Sequence, residues 1–212
     1  MLECLNVQMI IVVGLGNLGK KFEKTRHNVG FMIVESLKLK VKSFSNWKNN
    51  KKLLSEISRG EIAGQKVILA KPQTFMNESG RSVKILTNHF LSIRNNSAMA
   101  RISRMFKNLW VIHDDIDLPI GKIKIVKNRG SAGHKGVQSI INKLGTKNFI
   151  RFRIGIKPKT YNLTPKTLDE FVLQKFNKGE EKILKEVIKR IIEALMVALK
   201  VGVEKAMNKF NK

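Results

Sequence analysis

Met9-Ile10-Ile11-Val12-Val13-Gly14-Leu15-Gly16-Asn17-Leu18-Gly19 is the stretch that decides the fold. An uncharged apolar run this short, closed by glycine, reads as a buried strand rather than a helix. Its glycines match G-x-G-x-x-G, the phosphate-binding turn of dinucleotide folds. In that motif the third glycine opens an apolar helix whose N-terminus faces the pyrophosphate. Here the polar stretch Lys20-Lys21-Phe22-Glu23-Lys24-Thr25-Arg26 follows instead. The run is therefore read as a tight turn that presents Asn17 at the carboxyl end of the first strand, where open α/β sheets place ligands.

Outward from this strand the periodicity alternates between strand and helix. Asn28 is placed to cap a helix to about Leu39, with Phe31, Met32, Val34 and Leu37 facing inward. Lys40 to Lys52 is polar and reads as loop. Leu53 to Ile62 and Lys66 to Ala70 flank a hairpin signal at Ala63-Gly64-Gln65. Helix is predicted from Glu78 to Leu91, then strands at Leu109 to Ile112 and Lys122 to Val126. A further helix is expected from His134 to Leu144, and a strand with arginines on one face from Arg151 to Ile156. Thr167-x-x-Glu170 has the form of a capping box. From Gly179 to Lys200 apolar residues recur at helical spacing, and Val203, Ala206, Met207 and Phe210 mark a short last helix. This pattern predicts an α/β protein: a single three-layer domain over residues 9–212, with a mixed central β-sheet flanked by helices. Residues 1–8 are expected to be a disordered extension, and 95–108 an irregular or partly helical connection.

The chain has 212 residues, 41 Lys and Arg against 16 Asp and Glu, and a formal net charge of +25. Such an excess repels itself and calls for a polyanionic partner, nucleic acid before all others. A single cysteine, Cys4, excludes a disulfide framework and fits a reducing compartment. No signal peptide and no apolar run of membrane-spanning length is read.

Chemistry concentrates in few residues. His27 lies on a loop just before a helix, and a neutral imidazole can take a proton from water. Three of the four aspartates fall in His113-Asp114-Asp115-Ile116-Asp117. Asp114, at the end of an apolar strand, suits the group that orients His27. Neighbours on a strand point to opposite faces, so His113 and these carboxylates do not converge on one metal ion, and no metal is expected. Asn77 suits a helix N-cap and also an amide aimed at a carbonyl oxygen. Gly130-Ser131-Ala132-Gly133-His134-Lys135-Gly136 leads into a helix, a setting suited to phosphate or sugar against backbone N–H groups. No serine or cysteine has a nucleophile-elbow context, so no covalent intermediate is expected.

Gly14-Leu15-Gly16-Asn17, Thr25-Arg26-His27-Asn28, Lys71-Pro72-Gln73-Thr74-Phe75-Met76-Asn77-Glu78-Ser79-Gly80, His113-Asp114-Asp115-Ile116-Asp117-Leu118-Pro119 and Gly133-His134-Lys135-Gly136 occur in order and in register. Together they resemble the bacterial-type peptidyl-tRNA hydrolases, from about Met9 to Phe210. The resemblance implies a monomeric cytoplasmic enzyme without cofactor or membrane association. Its reaction would be hydrolysis of the ester between a peptide and the 3′ ribose of tRNA. On that resemblance His27 is the general base, Asp114 its partner, and Asn17 the residue that senses a blocked amino group. Asn77 is a substrate-binding amide with Phe75 and Met76 beside it, and Phe22, His134 and Lys135 are further tRNA or substrate contacts. The sequence departs from the family pattern at Lys135, where asparagine is usual, at Phe22, where tyrosine is common, and in a longer, more basic 95–108. Two rival readings are a non-catalytic RNA-binding protein on the same scaffold and a nucleotide-dependent enzyme using the glycine turn.

Overall fold

The computed structural model describes residues 9–91, 106–158 and 165–211. The expected N-terminal extension 1–8 and most of 95–108 lie outside the described residues. Seven strands form one mixed sheet: β1 (Met9–Gly14), β2 (Lys48–Asn50), β3 (Ser55–Ile62), β4 (Gln65–Pro72), β5 (Leu109–Pro119), β6 (Ile123–Lys127) and β7 (Ile150–Lys157). Their order is β2-β3-β4-β1-β5-β7-β6. The four central strands are parallel, and the outer pairings β2–β3, β3–β4 and β6–β7 are antiparallel.

The alternation of side chains along the strands builds two apolar layers. Ile10 and Val12 of β1, with Leu69, Trp110, Ile112 and Phe152, face α1 (Val29–Lys40), α5 (Lys178–Val201) and α6 (Val203–Phe210). Ile11 and Val13, with Ile68, Leu109 and Val111, face α2 (Ser79–Leu91) and α3 (Lys135–Leu144). The remaining described helix, α4, is Pro165–Val172. In α5 the buried side chains include Leu184, Val187, Ile191, Ile192, Leu195 and Leu199, each contributing about 1.5–3 kcal/mol by leaving water.

Helix α1 lies unusually close to the sheet. A Cβ at Gly14 would overlap the Gly30 carbonyl, and one at Gly30 would overlap the backbone of Leu15 and Ile112. These glycines serve close packing of strand and helix. Gly19 is followed by a short 3-10 turn, Lys20–Phe22, and α1 begins ten residues after it. The glycine turn therefore does not open a helix onto a pyrophosphate, as the failed sequence match anticipated.

The elements follow the sequence reading with some differences: the strand expected at Leu109 to Ile112 runs on to Pro119 as β5, and Ile33 rather than Phe31 or Met32 is buried in α1. Lys40 to Lys52, expected as loop, contains the short edge strand β2, which pairs with the polar end of β3. Asn28 precedes α1 but does not cap it; its side chain is held by Asn17. Thr167 and Glu170 lie within α4, which starts at Pro165, so they form no capping box there. The capping box belongs to Asn177 and Glu180 at the start of α5.

Candidate active site

The connection after β1 runs over one face of the sheet, through α1, to the edge strand β2, from which β3 and β4 lead back to β1. The connection after β4 returns over the other face, through α2, to β5 on the far side of β1. Such a reversal opens a crevice beyond the carboxyl ends of β1 and β5. Gly14 at the end of β1 pairs with Ile112, so Asp114 projects two residues past that level. The 3-10 turn Arg26–Asn28 brings His27 to the same end.

His27 and Asp114 meet there. His27 Nδ1 lies 3.0 and 2.9 Å from the two oxygens of Asp114. A second imidazole completes the cluster: His134 Nε2 is 3.0 Å from Asp114 Oδ1, and the two rings are 4.8 Å apart. His134 is the N-cap of α3, and its Nδ1 accepts the N–H groups of Gly136 and Val137 at 3.1 and 3.3 Å. Its Nδ1 is therefore a lone pair and its Nε2 carries the proton given to Asp114. An ionised carboxylate only accepts, so His27 also donates from Nδ1. This leaves the lone pair of His27 on Nε2, which has no partner among the described residues.

The titration follows from this geometry. Burial alone would lower the His27 pKa, but the charge and hydrogen bond of Asp114 outweigh it and raise the value above 6.5. Burial would raise Asp114, yet the two imidazoles hold it far below the carboxylate range. His113, fully buried behind the cluster with its ring 4.7 Å from His134, is pushed well below 6.5 by burial, by His134 and by Arg151. Its Nδ1 donates to the Asp114 carbonyl at 2.6 Å, and its Nε2 is buried without a partner among the described residues.

His27, Asp114 and His134 offer three ligand-type atoms within 4.8 Å of one another. The nitrogens nearest the carboxylate are both N–H donors in this arrangement, and a protonated ring nitrogen is not a metal ligand.

The other aspartates of the sequence cluster have separate work. Asp115 pairs with Arg153 and accepts the Asp117 N–H, while Asp117 is exposed. Arg151, two residues before Arg153 on the same face of β7, donates to the Gly130 carbonyl at 2.8 Å and so ties down the glycine-rich loop before His134. Burial and the neighbouring Arg153 lower its pKa to about 10, which leaves it charged at neutral pH.

A cleft of about 50 Å³ opens over the cluster, lined by His27, Asp114, His134, Lys135 and the 131–133 loop, and by Leu168, Asp169 and Val172 of α4. Lys135 Nζ reaches Asp169 at 2.6 Å, with both side chains more than half exposed. A second groove of about 600 Å³ is lined by Asn17, Asn28, Phe31, Met32 and Lys71 among others. Asn17 exchanges two hydrogen bonds with Asn28, at 2.8 and 2.9 Å, and its Oδ1 accepts the Met76 N–H at 3.3 Å. Thus His27, Asp114, His134 and Lys135 come together, and Asn17 lies in the second groove. Met76 is buried against Gly136 in the sheet–helix core, so its side chain lines neither cavity. Phe75 is 72% exposed, Asn77 is exposed, and Phe22 carries Lys21 over its ring at 4.8 Å; none lines either cavity.

Sequence reasoning did not find the His134–Asp114 contact, the Asn28–Asn17 exchange or the Lys135–Asp169 pair. It also did not find Lys71, a buried lysine paired with Glu35 and, at 2.8 Å, with Glu56, beneath Trp47 at 4.3 Å. Only His134 carried a signal, as a cap-forming side chain at a predicted helix start.

A sequence model of the peptidyl-tRNA hydrolase family matches residues 11–212. The peptidyl-tRNA hydrolase of Thermodesulfovibrio yellowstonii is 42% identical over 204 residues, covering 96% of this chain and 100% of that protein. The peptidyl-tRNA hydrolase of Aquifex aeolicus is 40% identical over 203 residues, covering 95% and 96%. The crystal structure of peptidyl-tRNA hydrolase from Acinetobacter baumannii aligns with a TM-score of 0.81 at 30% identity, covering 97% of this chain and 95% of that one. The chain belongs to the peptidyl-tRNA hydrolase family.

Proposed function

We propose that this protein hydrolyses the ester between a peptide and the 3′ ribose of tRNA, with His27 as general base. The observation that carries the assignment of roles is the double contact of His27 Nδ1 with Asp114, which leaves Nε2 free at a cleft. Nε2 takes a proton from water, and the oxygen attacks the carbonyl carbon of the last peptide residue. Asp114 stabilises the imidazolium that forms. Collapse of the tetrahedral intermediate breaks the bond to the ribose oxygen, which takes the proton back from His27. No covalent enzyme intermediate is involved.

The remaining residues divide by exposure. The exposed Phe75, Asn77 and Lys135, with the half-buried Phe22, serve as contacts for the acceptor end of tRNA, stacking or donating hydrogen bonds. Asn17 offers its unused amide N–H to the peptide side of the ester. Met76 supports from beneath through the backbone N–H given to Asn17, and His134 acts through Asp114 rather than on substrate. The net charge of +25 supports an RNA partner. No helix among the described residues is long and apolar enough to cross a membrane. The same reading has the protein act in the cytoplasm as a monomer, with residues 9–212 as one working unit and no cofactor. Release of the acyl group from N-acetyl-aminoacyl-tRNA by the purified protein tests it. Release that needs only water supports the proposal; tRNA binding without release leaves the non-catalytic RNA-binding reading in its place.

A further inference from the structure

Arg26, next to His27, is only 4% exposed. Its guanidinium serves the far end of the chain. Nη1 donates to the carbonyls of Gln174 and Lys175 at 3.2 and 2.9 Å, and Nη2 to Glu180 Oε2 at 2.6 Å. That same carboxylate oxygen accepts the Asn177 N–H at 2.8 Å in the capping box of α5. The guanidinium carbon lies 4.1 Å from the centre of the Phe171 ring and 5.3 Å from that of Phe176. The backbone is tied as well, since the Arg26 N–H donates to the Gln174 carbonyl at 3.0 Å and Thr25 bridges Lys175. Phe171 belongs to α4, whose Leu168, Asp169 and Val172 line the cleft over His27.

One side chain thus grips both the loop that carries the imidazole and the helix that walls the cleft. A buried guanidinium is a costly way to join them. Apolar residues of similar volume would hold two packed segments at least as stably, because a buried ion pair gains little net stability after desolvation. What the planar group adds is geometry: donors in a fixed fork and a flat face leave little freedom between the parts it joins.

We propose that Arg26 is a positioning residue for the hydrolysis, fixing His27 relative to the α4 wall of the cleft. Glu180 is its anchor and Phe171 the face it stacks on. The proposal rests on the reading of His27 as the base. On the other side His27 is held by Asn28, through the Asn17 exchange. The charged and titratable groups around the imidazole are Asp114 on β5, His134 and Lys135 at the start of α3, and Asp169 on α4.

The test compares Arg26→Lys, Glu180→Gln and His27→Ala with the parent protein on N-acetyl-aminoacyl-tRNA, reading kcat, KM and the pH profile of kcat. Lysine keeps the charge but loses the fork and the flat face. Arg26→Lys is expected to unfold cooperatively, to keep KM within about twofold, and to lose kcat by about tenfold to a hundredfold. The acid limb of its profile should move down, because a loosened loop weakens the His27–Asp114 contact. Glu180→Gln, which keeps an acceptor for Asn177, should move kcat and the limb in the same direction by less. It decides the question if the lysine variant does not fold. Parent-like kcat in the folded variant, or a loss that only follows the unfolded fraction with the limb unmoved, overturns the proposal. Retained turnover in His27→Ala overturns the base assignment instead, whatever Arg26 does.

Discussion

His27 and Asp114, 87 positions apart in the chain, are joined through one ring nitrogen and both carboxylate oxygens, at 3.0 and 2.9 Å. The contact fixes which nitrogen of His27 carries the proton and raises the pH at which the other becomes a base. The acid limb of kcat/KM reports that pKa. It is therefore expected above 6.5, the ordinary value for the group. Asp114→Asn offers one carbonyl where two imidazole N–H groups now donate, so one ring loses its acceptor. We expect kcat to fall by about a hundredfold or more, with the acid limb shifted down. A pH–rate profile of the two proteins checks both.

His113 makes stability depend on pH in the opposite sense to His27. Its pKa is depressed in the folded state, so below 6.5 the unfolded chain binds a proton that the folded one refuses. Stability is expected to fall as pH drops from 7 towards 5.5, with a slope of up to about 1.4 kcal/mol per pH unit from this group. His27, with its raised value, contributes stability that is full below 6.5 and fades as pH rises through its folded pKa. His113→Leu should be weaker than the parent at pH 8, through the lost bond to the Asp114 carbonyl, yet show a flatter acid slope. Urea midpoints across this range make the comparison.

Binding of tRNA is expected to weaken steeply with salt, because lysine and arginine contacts to phosphate release counterions. Lys135 is already engaged with Asp169, so substrate must compete for it. An exposed pair of this kind is a weak rival, of order 0–1 kcal/mol. Lys135→Ala should therefore lower affinity modestly and reduce the slope of log K against log salt by about one. Filter binding at several salt concentrations measures it.

Gly30→Ala probes the seating of α1. Its methyl would press on the backbone of Leu15 and Ile112, which cannot move without parting β1 from β5. Overpacking of this sort costs about 1–3 kcal/mol, or more where only backbone can yield. The variant should show a Tm several degrees lower, seen by calorimetry.

The layered architecture was legible because β1 and the runs Val67–Ala70 of β4 and Leu109–Ile112 of β5 are continuously apolar, and α5 repeats its apolar residues at helical spacing from Ile183 to Val201. Those patterns reflect burial, which composition records directly. What was hidden depended on partners far along the chain. Nothing near Arg26 announces Glu180, and nothing near Lys135 announces Asp169. Asn28 looked like a cap because asparagine before a helix commonly is one, yet its side chain is matched to Asn17. The short strand β2 escaped because its residues are polar and take their strand form from pairing with β3. At the site, chemical type alone pointed to His27 and Asp114 as partners, and they do meet, whereas nothing in the sequence announces that His134 shares the same carboxylate while lining the cleft. Met76 sits in a run of motif residues but faces the core, a distinction that sequence adjacency does not carry.

Single-turnover cleavage of N-acetyl-aminoacyl-tRNA by His27→Ala tests the role of the His27 imidazole most directly. The expected result is a rate lower by about 10²–10⁴-fold with tRNA affinity within about twofold of the parent. A cleavage rate within threefold of the parent, in a folded variant that binds tRNA normally, would contradict it.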